Sequence, residues 1–233
     1  MSAYSSGLMC GSVMRSRCQS RAPRDRTRAP RPGLHDLERT PAGLTGQWWR
    51  SVTSLTVQDG GVLGTLSNLA FLLIIGTIAE QVLTRPRWLA LYLVPGLAGE
   101  FVAYSWQPTG AGNSVAVCGL SGALAVLMLR DPRCAPPVAA YAQLLWVGCL
   151  VATASAIAGG LIFGATGLLL RLSGGRSVPV AAVSGAAVLA CGAALAAHQD
   201  IHGAALVAGA LLSIAIVSPA AHSRFVSYSS GPR

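Results

Sequence analysis

The residues best suited to chemistry are Ser121, set between glycines in Gly119-Leu120-Ser121-Gly122, and His202, in an apolar segment near the C-terminal end. An imidazole beside a serine hydroxyl can take its proton as the oxygen attacks a carbonyl, then deliver that proton to the leaving group. The pair therefore predicts hydrolytic acyl transfer, provided the fold brings the two together. Each residue also has a plainer role. A serine in a Gly- and Ala-rich helix can bond back to the preceding turn. The stretch His198-Gln199-Asp200-Ile201-His202 reads equally as a polar loop. Its spacing resembles metal ligands, but a third ligand is lacking nearby, so no metal is expected.

Composition says what surrounds these groups. Of 233 residues, 52% are hydrophobic and 11% charged, against about 25% charged in a typical soluble domain, which predicts a membrane protein. The formal charge is +9 and all 17 basic residues are arginine. Without lysine there is no Ser-Lys dyad, Schiff-base lysine or phosphate-loop lysine. Beyond residue 45 the arginines sit singly or in pairs between apolar runs, which fits membrane flanks and argues against a nucleic-acid partner. The six cysteines show no C-x-x-C spacing, so neither disulfides nor a metal or other cofactor is inferred.

The elements that must position the pair follow in order. Residues 1–45 are rich in Arg, Ser and Pro, lack an apolar run, and are expected to be a disordered tail without an export signal. Trp48-Trp49-Arg50 marks a membrane–water boundary. Apolar runs then cover 62–83, 88–106, 114–129, 138–170, 178–197 and 203–217, most of them near the roughly 20 residues a helix needs to span hydrocarbon. The run 138–170 is too long for one span and is divided at Gly159-Gly160. With seven crossings, Arg85, Arg87, Arg130, Arg133, Arg171, Arg176, Arg224 and Arg233 all face the cytoplasm. The same count puts the Arg-rich N-terminus outside, against that rule. The expected organisation is an all-α, polytopic transmembrane bundle over 46–217 in the cell membrane, with a short cytoplasmic tail at 218–233.

In this topology Ser121 lies about seven residues, roughly 10 Å, below the outer end of its helix, and His202 about four residues, roughly 6 Å, below the outer end of the last one. Gly119 and Gly122 beside the serine, and Ala205 and Gly209 after the histidine, form small-residue faces that let the two helices approach.

With these residues placed, residues 46–217 resemble the rhomboid family of intramembrane serine proteases. The resemblance rests on Trp49-Arg50, on Asn68 followed by Gly76 and Glu80, on Gly119-Leu120-Ser121-Gly122, and on His202 with the Ala205/Gly209 stripe. It implies that Ser121 and His202 act as a dyad on transmembrane protein substrates near the outer surface, without an Asp partner or cofactor. It also implies an oxyanion site made by the Leu120 and Ser121 backbone N–H groups and the Asn68 side chain. The loops at Gln107–Asn113 and before His202 would rim a water-filled cavity.

The chain departs from the family pattern in three places. Gly64 stands where a histidine four residues before the asparagine would assist the oxyanion. Ala125 stands where an aromatic four residues after the serine would pack on the histidine. The span that normally precedes Trp49-Arg50 is absent, which suggests a truncated or misassigned start. Two alternatives therefore accompany the protease reading: a rhomboid-like protein that binds membrane segments without cutting them, and a small transporter. Glu100, an acid inside a span, is expected to reach water, and Glu80 to order a helix junction.

Overall fold

The structure is a computed structural model that describes residues 33, 36–58, 60–173 and 177–217. The expected tail at 218–233, most of the N-terminal tail, and Arg176, Arg224 and Arg233 lie outside the described residues. All-α architecture holds: among the described residues the chain forms helices and one isolated bridge, Arg39 with Gly110. A 3-10 turn at Pro41–Thr45 leads to the short α1 (Arg50–Thr53). Seven long helices follow: α2 (Gly61–Val82), α3 (Arg85–Trp106), α4 (Ser114–Arg130), α5 (Pro137–Ala154), α6 (Ala156–Ser173), α7 (Ser177–Ala197) and α8 (Ile201–Ile216). By length and composition α2, α3 and residues 180–197 of α7 can each cross a membrane.

Local sequence explains the boundaries. Prolines at the first turns of α3 and α5 supply a fixed backbone angle where no helical N–H bond is lost. The expected division of 138–170 is present, but four residues earlier than Gly159. Ser155 alone leaves the helical region, with φ −152° and ψ 108°, and α6 turns back antiparallel along α5. Gly159 instead lets α6 lie on α5, because a Cβ there would come within 2.7 Å of the Ala152 backbone.

The core is organised around α4, in which every residue from Val115 to Met128 is buried. A helix apolar on all sides belongs at the centre of a bundle; α2, α3, α7 and α8 pack around it, and α5 reaches it through Gln143. Its approach to α8 depends on the anticipated small residues. A Cβ added at Gly209 would collide with the Gly119 carbonyl, and one at Gly122 with that of Leu206. On α3, a Cβ at Gly99 would come within 3.1 Å of the Ala205 Cβ on α8. By contrast α2 and α6 present Val62, Leu63, Leu73, Ile157 and Leu161 outward, the apolar exposure expected of helices facing lipid.

Two sequence expectations change here. The stretch from Asp36 to Thr45 is not a disordered tail. Arg39 is 2% exposed, ion-paired with Glu100, and its guanidinium also donates to the carbonyl of Gln107. Glu100 is 0% exposed although it borders a cavity, and its described partners are protein groups: it accepts from Arg39 and, at 2.8 Å, from Ser54 Oγ. Composition suggested disorder because it counts charges, whereas one charge of this segment has a buried partner of opposite sign. Glu80 is exposed, and across the α2–α3 junction Trp88 Nε1 donates to Gly76 O at 3.0 Å.

Candidate functional site: a serine and a histidine at the first turns of two parallel helices

Helices α4 and α8 run parallel. They start side by side at Ser114 and Ile201 and end together, where Arg130 Nη1 donates to Val217 O at 3.3 Å. The connection into α4 is a tight loop in which Gly110 and Gly112 adopt φ +142° and +155°, angles that favour residues without a Cβ. Gly112 N donates to Ser54 O at 2.8 Å, which fixes the loop to the end of α1. Ser114 is the first residue of α4, so the helix has no internal acceptor for its backbone N–H.

Ser114 Oγ lies 3.0 Å from His202 Nε2. Behind the ring, His202 Nδ1 lies 2.8 Å from Asp200 Oδ1, and the same oxygen accepts the backbone N–H of His202 at 2.8 Å as the N-cap of α8. An Nδ1–H donated to the carboxylate leaves Nε2 as an acceptor for the Ser114 hydroxyl. Burial favours the neutral acid at Asp200, but hydrogen bonding and charge from His202 outweigh it, and the carboxyl is held below its ordinary value of 3.8.

Asn68 on α2 shares this site. Its Nδ2 donates to Gln58 Oε1 at 2.8 Å, and Gln58 Nε2 donates to Asn113 Oδ1 at 2.8 Å. This row of amides ties Asn68 to the residue preceding Ser114 and leaves a second Asn68 N–H for another acceptor. Asn68, Ser114 and His202 line one cavity of about 180 Å³, with Arg39 and Glu100 on its wall and Gly112 at its rim. A Cβ at Gly64 would meet nothing within 4 Å, so the place where an assisting histidine was expected is open.

The expected pairing of Ser121 with His202 is not present. Ser121 is fully buried two turns further along α4, where its Oγ donates to Gln143 Oε1 and its carbonyl accepts from Gln143 Nε2 at 3.0 Å. Leu120 is equally buried, and at this depth its N–H and that of Ser121 belong to the α4 hydrogen-bond ladder, so neither can serve an oxyanion. Ser114 and Ser121, seven residues apart, lie on nearly the same side of the helix and differ in depth, so the face expected for the nucleophile holds at a different level. A signal for Ser114 was available. Gly112-Asn113-Ser114 follows a polar loop at a helix start, and the second glycine of the expected motif is replaced by Val115, for which Gly99 on α3 makes room. Of the two histidines in the polar stretch 198–202, His198 is exposed and His202 faces the site.

An acceptor nitrogen facing a hydroxyl, a carboxylate behind the ring, and N–H donors beside an open cavity can together support acyl transfer. Comparison with known proteins identifies the family. Residues 45–162 match the model of the rhomboid domain. A curated relative, rhomboid protease GluP of Bacillus subtilis (strain 168), is 33% identical over 93 residues, covering 38% of this chain and 17% of that protein. The chain thus spans under a fifth of the length of the relative it matches. No solved structure matches it. With half of its length accounted for by that domain, the chain belongs to the rhomboid family.

Proposed function

We propose that the chain is a multi-pass intramembrane serine endopeptidase of the cell membrane, with Ser114 as nucleophile and His202 as general base. The observation that carries this reading is the 3.0 Å contact between Ser114 Oγ and His202 Nε2 at the wall of an open cavity. The Ser114 hydroxyl proton passes to Nε2 as Oγ bonds to the scissile carbonyl carbon, and the carbonyl π pair moves onto oxygen. The Ser114 backbone N–H and the Asn68 amide stabilise that oxyanion. Nε2 then protonates the amine as the C–N bond breaks, leaving an acyl-serine. Water attacks this ester, gives its proton to Nε2, and His202 returns a proton to Ser114 Oγ as the acid product leaves. Family membership supports a substrate that is itself a transmembrane protein, presented in the bilayer to the cavity end of α4 and α8.

The test is cleavage of a single-span substrate in detergent or vesicles by wild type, Ser114→Ala, Ser121→Ala and His202→Ala. Cleavage by wild type and Ser121→Ala alone is expected, and equal cleavage by all four overturns the assignment. Gly64 favours a second reading, a rhomboid-like protein that holds membrane segments without cutting them, because the oxyanion site lacks an assisting imidazole. In that case a fluorophosphonate leaves Ser114 unlabelled while a single-span peptide still binds.

A further inference from the structure

The resemblance implied a dyad without an acidic partner, yet an aspartate stands behind the histidine. We propose that Asp200 is a positioning residue for the reaction, holding His202 in the tautomer and orientation that leave Nε2 free to accept the Ser114 proton, and stabilising the imidazolium that results. This rests on the reading of Ser114 and His202 as nucleophile and base.

The geometry behind it is specific. A single oxygen, Asp200 Oδ1, accepts from His202 twice, from the ring Nδ1 and from the backbone N–H, each at 2.8 Å. The backbone bond fixes the carboxylate relative to the first turn of α8, and the ring bond fixes the imidazole relative to the carboxylate. Without an acceptor at Nδ1, the ring can carry its proton on Nε2 instead, and an Nε2–H cannot accept from serine.

The aspartate itself is rigidly delivered. Three residues connect α7 to α8. Gln199 takes φ 60°, a left-handed angle rare for a residue with a side chain. Asp200 N donates to Leu195 O at 2.9 Å and Gln199 N to Ala196 O at 3.0 Å, the paired bonds of a Schellman helix ending. The end of α7 therefore places the cap of α8, and the cap holds the base.

Other ionisable groups near His202 do not do this work. Glu100, on α3, lies close enough for its charge to act on His202, but its described bonds go to Arg39 and Ser54. From α4, Cys118 is buried in the core and Ser114 occupies Nε2. His198, at the end of α7, is exposed.

The experiment compares full-length wild type with Asp200→Asn and Asp200→Ser, both of which can still cap α8. Thermal unfolding is expected to match wild type and KM to hold, while kcat falls by about tenfold or more. Wild-type kcat in both folded variants overturns the proposal and leaves Asp200 a helix cap. A second readout does not depend on cleavage: ¹⁵N-histidine NMR should show His202 in the Nδ1–H form in wild type and a redistribution towards Nε2–H in Asp200→Ser. An unchanged tautomer also overturns the proposal. Absence of turnover in wild type, with the tautomer change present, counts against the protease reading and leaves the positioning role standing.

Discussion

Two serines stand two turns apart on nearly the same side of α4, and their surroundings give them opposite fates. Ser121 is enclosed by apolar helices and exchanges two hydrogen bonds with Gln143. Ser114 sits at the helix start, partly exposed, beside an imidazole and a cavity. The glycines around Ser121, which make it look like the nucleophile, serve another purpose. Gly119 and Gly122 let α8 press against α4, and that close packing excludes water at their depth. A nucleophile needs a path for water and substrate, and on α4 that path exists only at the end.

The largest expected effect tests this contrast directly. Ser114→Ala should lower cleavage by at least about 10⁴-fold, the scale of losing a nucleophile, whereas Ser121→Ala should leave kcat within about twofold. A reversed result, read in the same substrate assay, would return the chemistry to Ser121.

Next comes Asn68→Ala, expected to lower kcat by about 10²–10³-fold, as when one oxyanion donor is removed. KM should change little, because the interaction strengthens as negative charge develops. Equal kcat in the variant would leave Asn68 as part of the amide row only.

Stability sharpens the other half of the contrast. Gln143→Leu alone should cost about 1–3 kcal/mol, because it strips Ser121 of its buried partner, while Gln143→Leu with Ser121→Ala should recover much of that loss. Unfolding of these two variants and of Ser121→Ala in the same micelle gives the coupling, and additive effects would mean that the pair is not a unit.

The smallest effect concerns Asp200 as a cap. Asp200→Ala should cost about 1 kcal/mol at neutral pH. Because the folded carboxyl is held below 3.8, its contribution is complete above that value and is lost as pH falls through the lower folded value. The difference between wild type and variant should therefore close in strong acid, which denaturation at several pH values checks.

Much of the fold was legible because apolar run length and arginine position are strong signals in a membrane chain. They gave all seven long helices and the break in 138–170, misplaced by four residues because Gly159-Gly160 looks like a turn and Ser155 does not. His202, expected from its type and position, and Asn68, expected from the rhomboid resemblance, line one cavity. Ser114 is hidden in the sequence because Val115 follows it where the family motif has a glycine, and the compensating glycine lies on α3, distant in sequence. Asp200 was legible as a polar loop residue; that its oxygen meets Nδ1 depends on the Gln199 backbone, which no composition or periodicity reveals. Arg39 was hidden in a run of arginines, since only the fold shows which one meets Glu100.

That last pairing bears on where the molecule can be cut. The rhomboid-domain match starts at residue 45, so kinship alone would place the edge of a minimal fragment just after Arg39. Such a cut would strand Glu100 in the interior without its cation, and removing one member of a buried ion pair typically costs about 3–5 kcal/mol. It would also remove the strap that bridges Gly110 and holds the Gln107 carbonyl at the cavity rim. The electrostatic edge of this domain lies upstream of its evolutionary edge, and a fragment trimmed to the latter would be expected to lose the wall of its own site first.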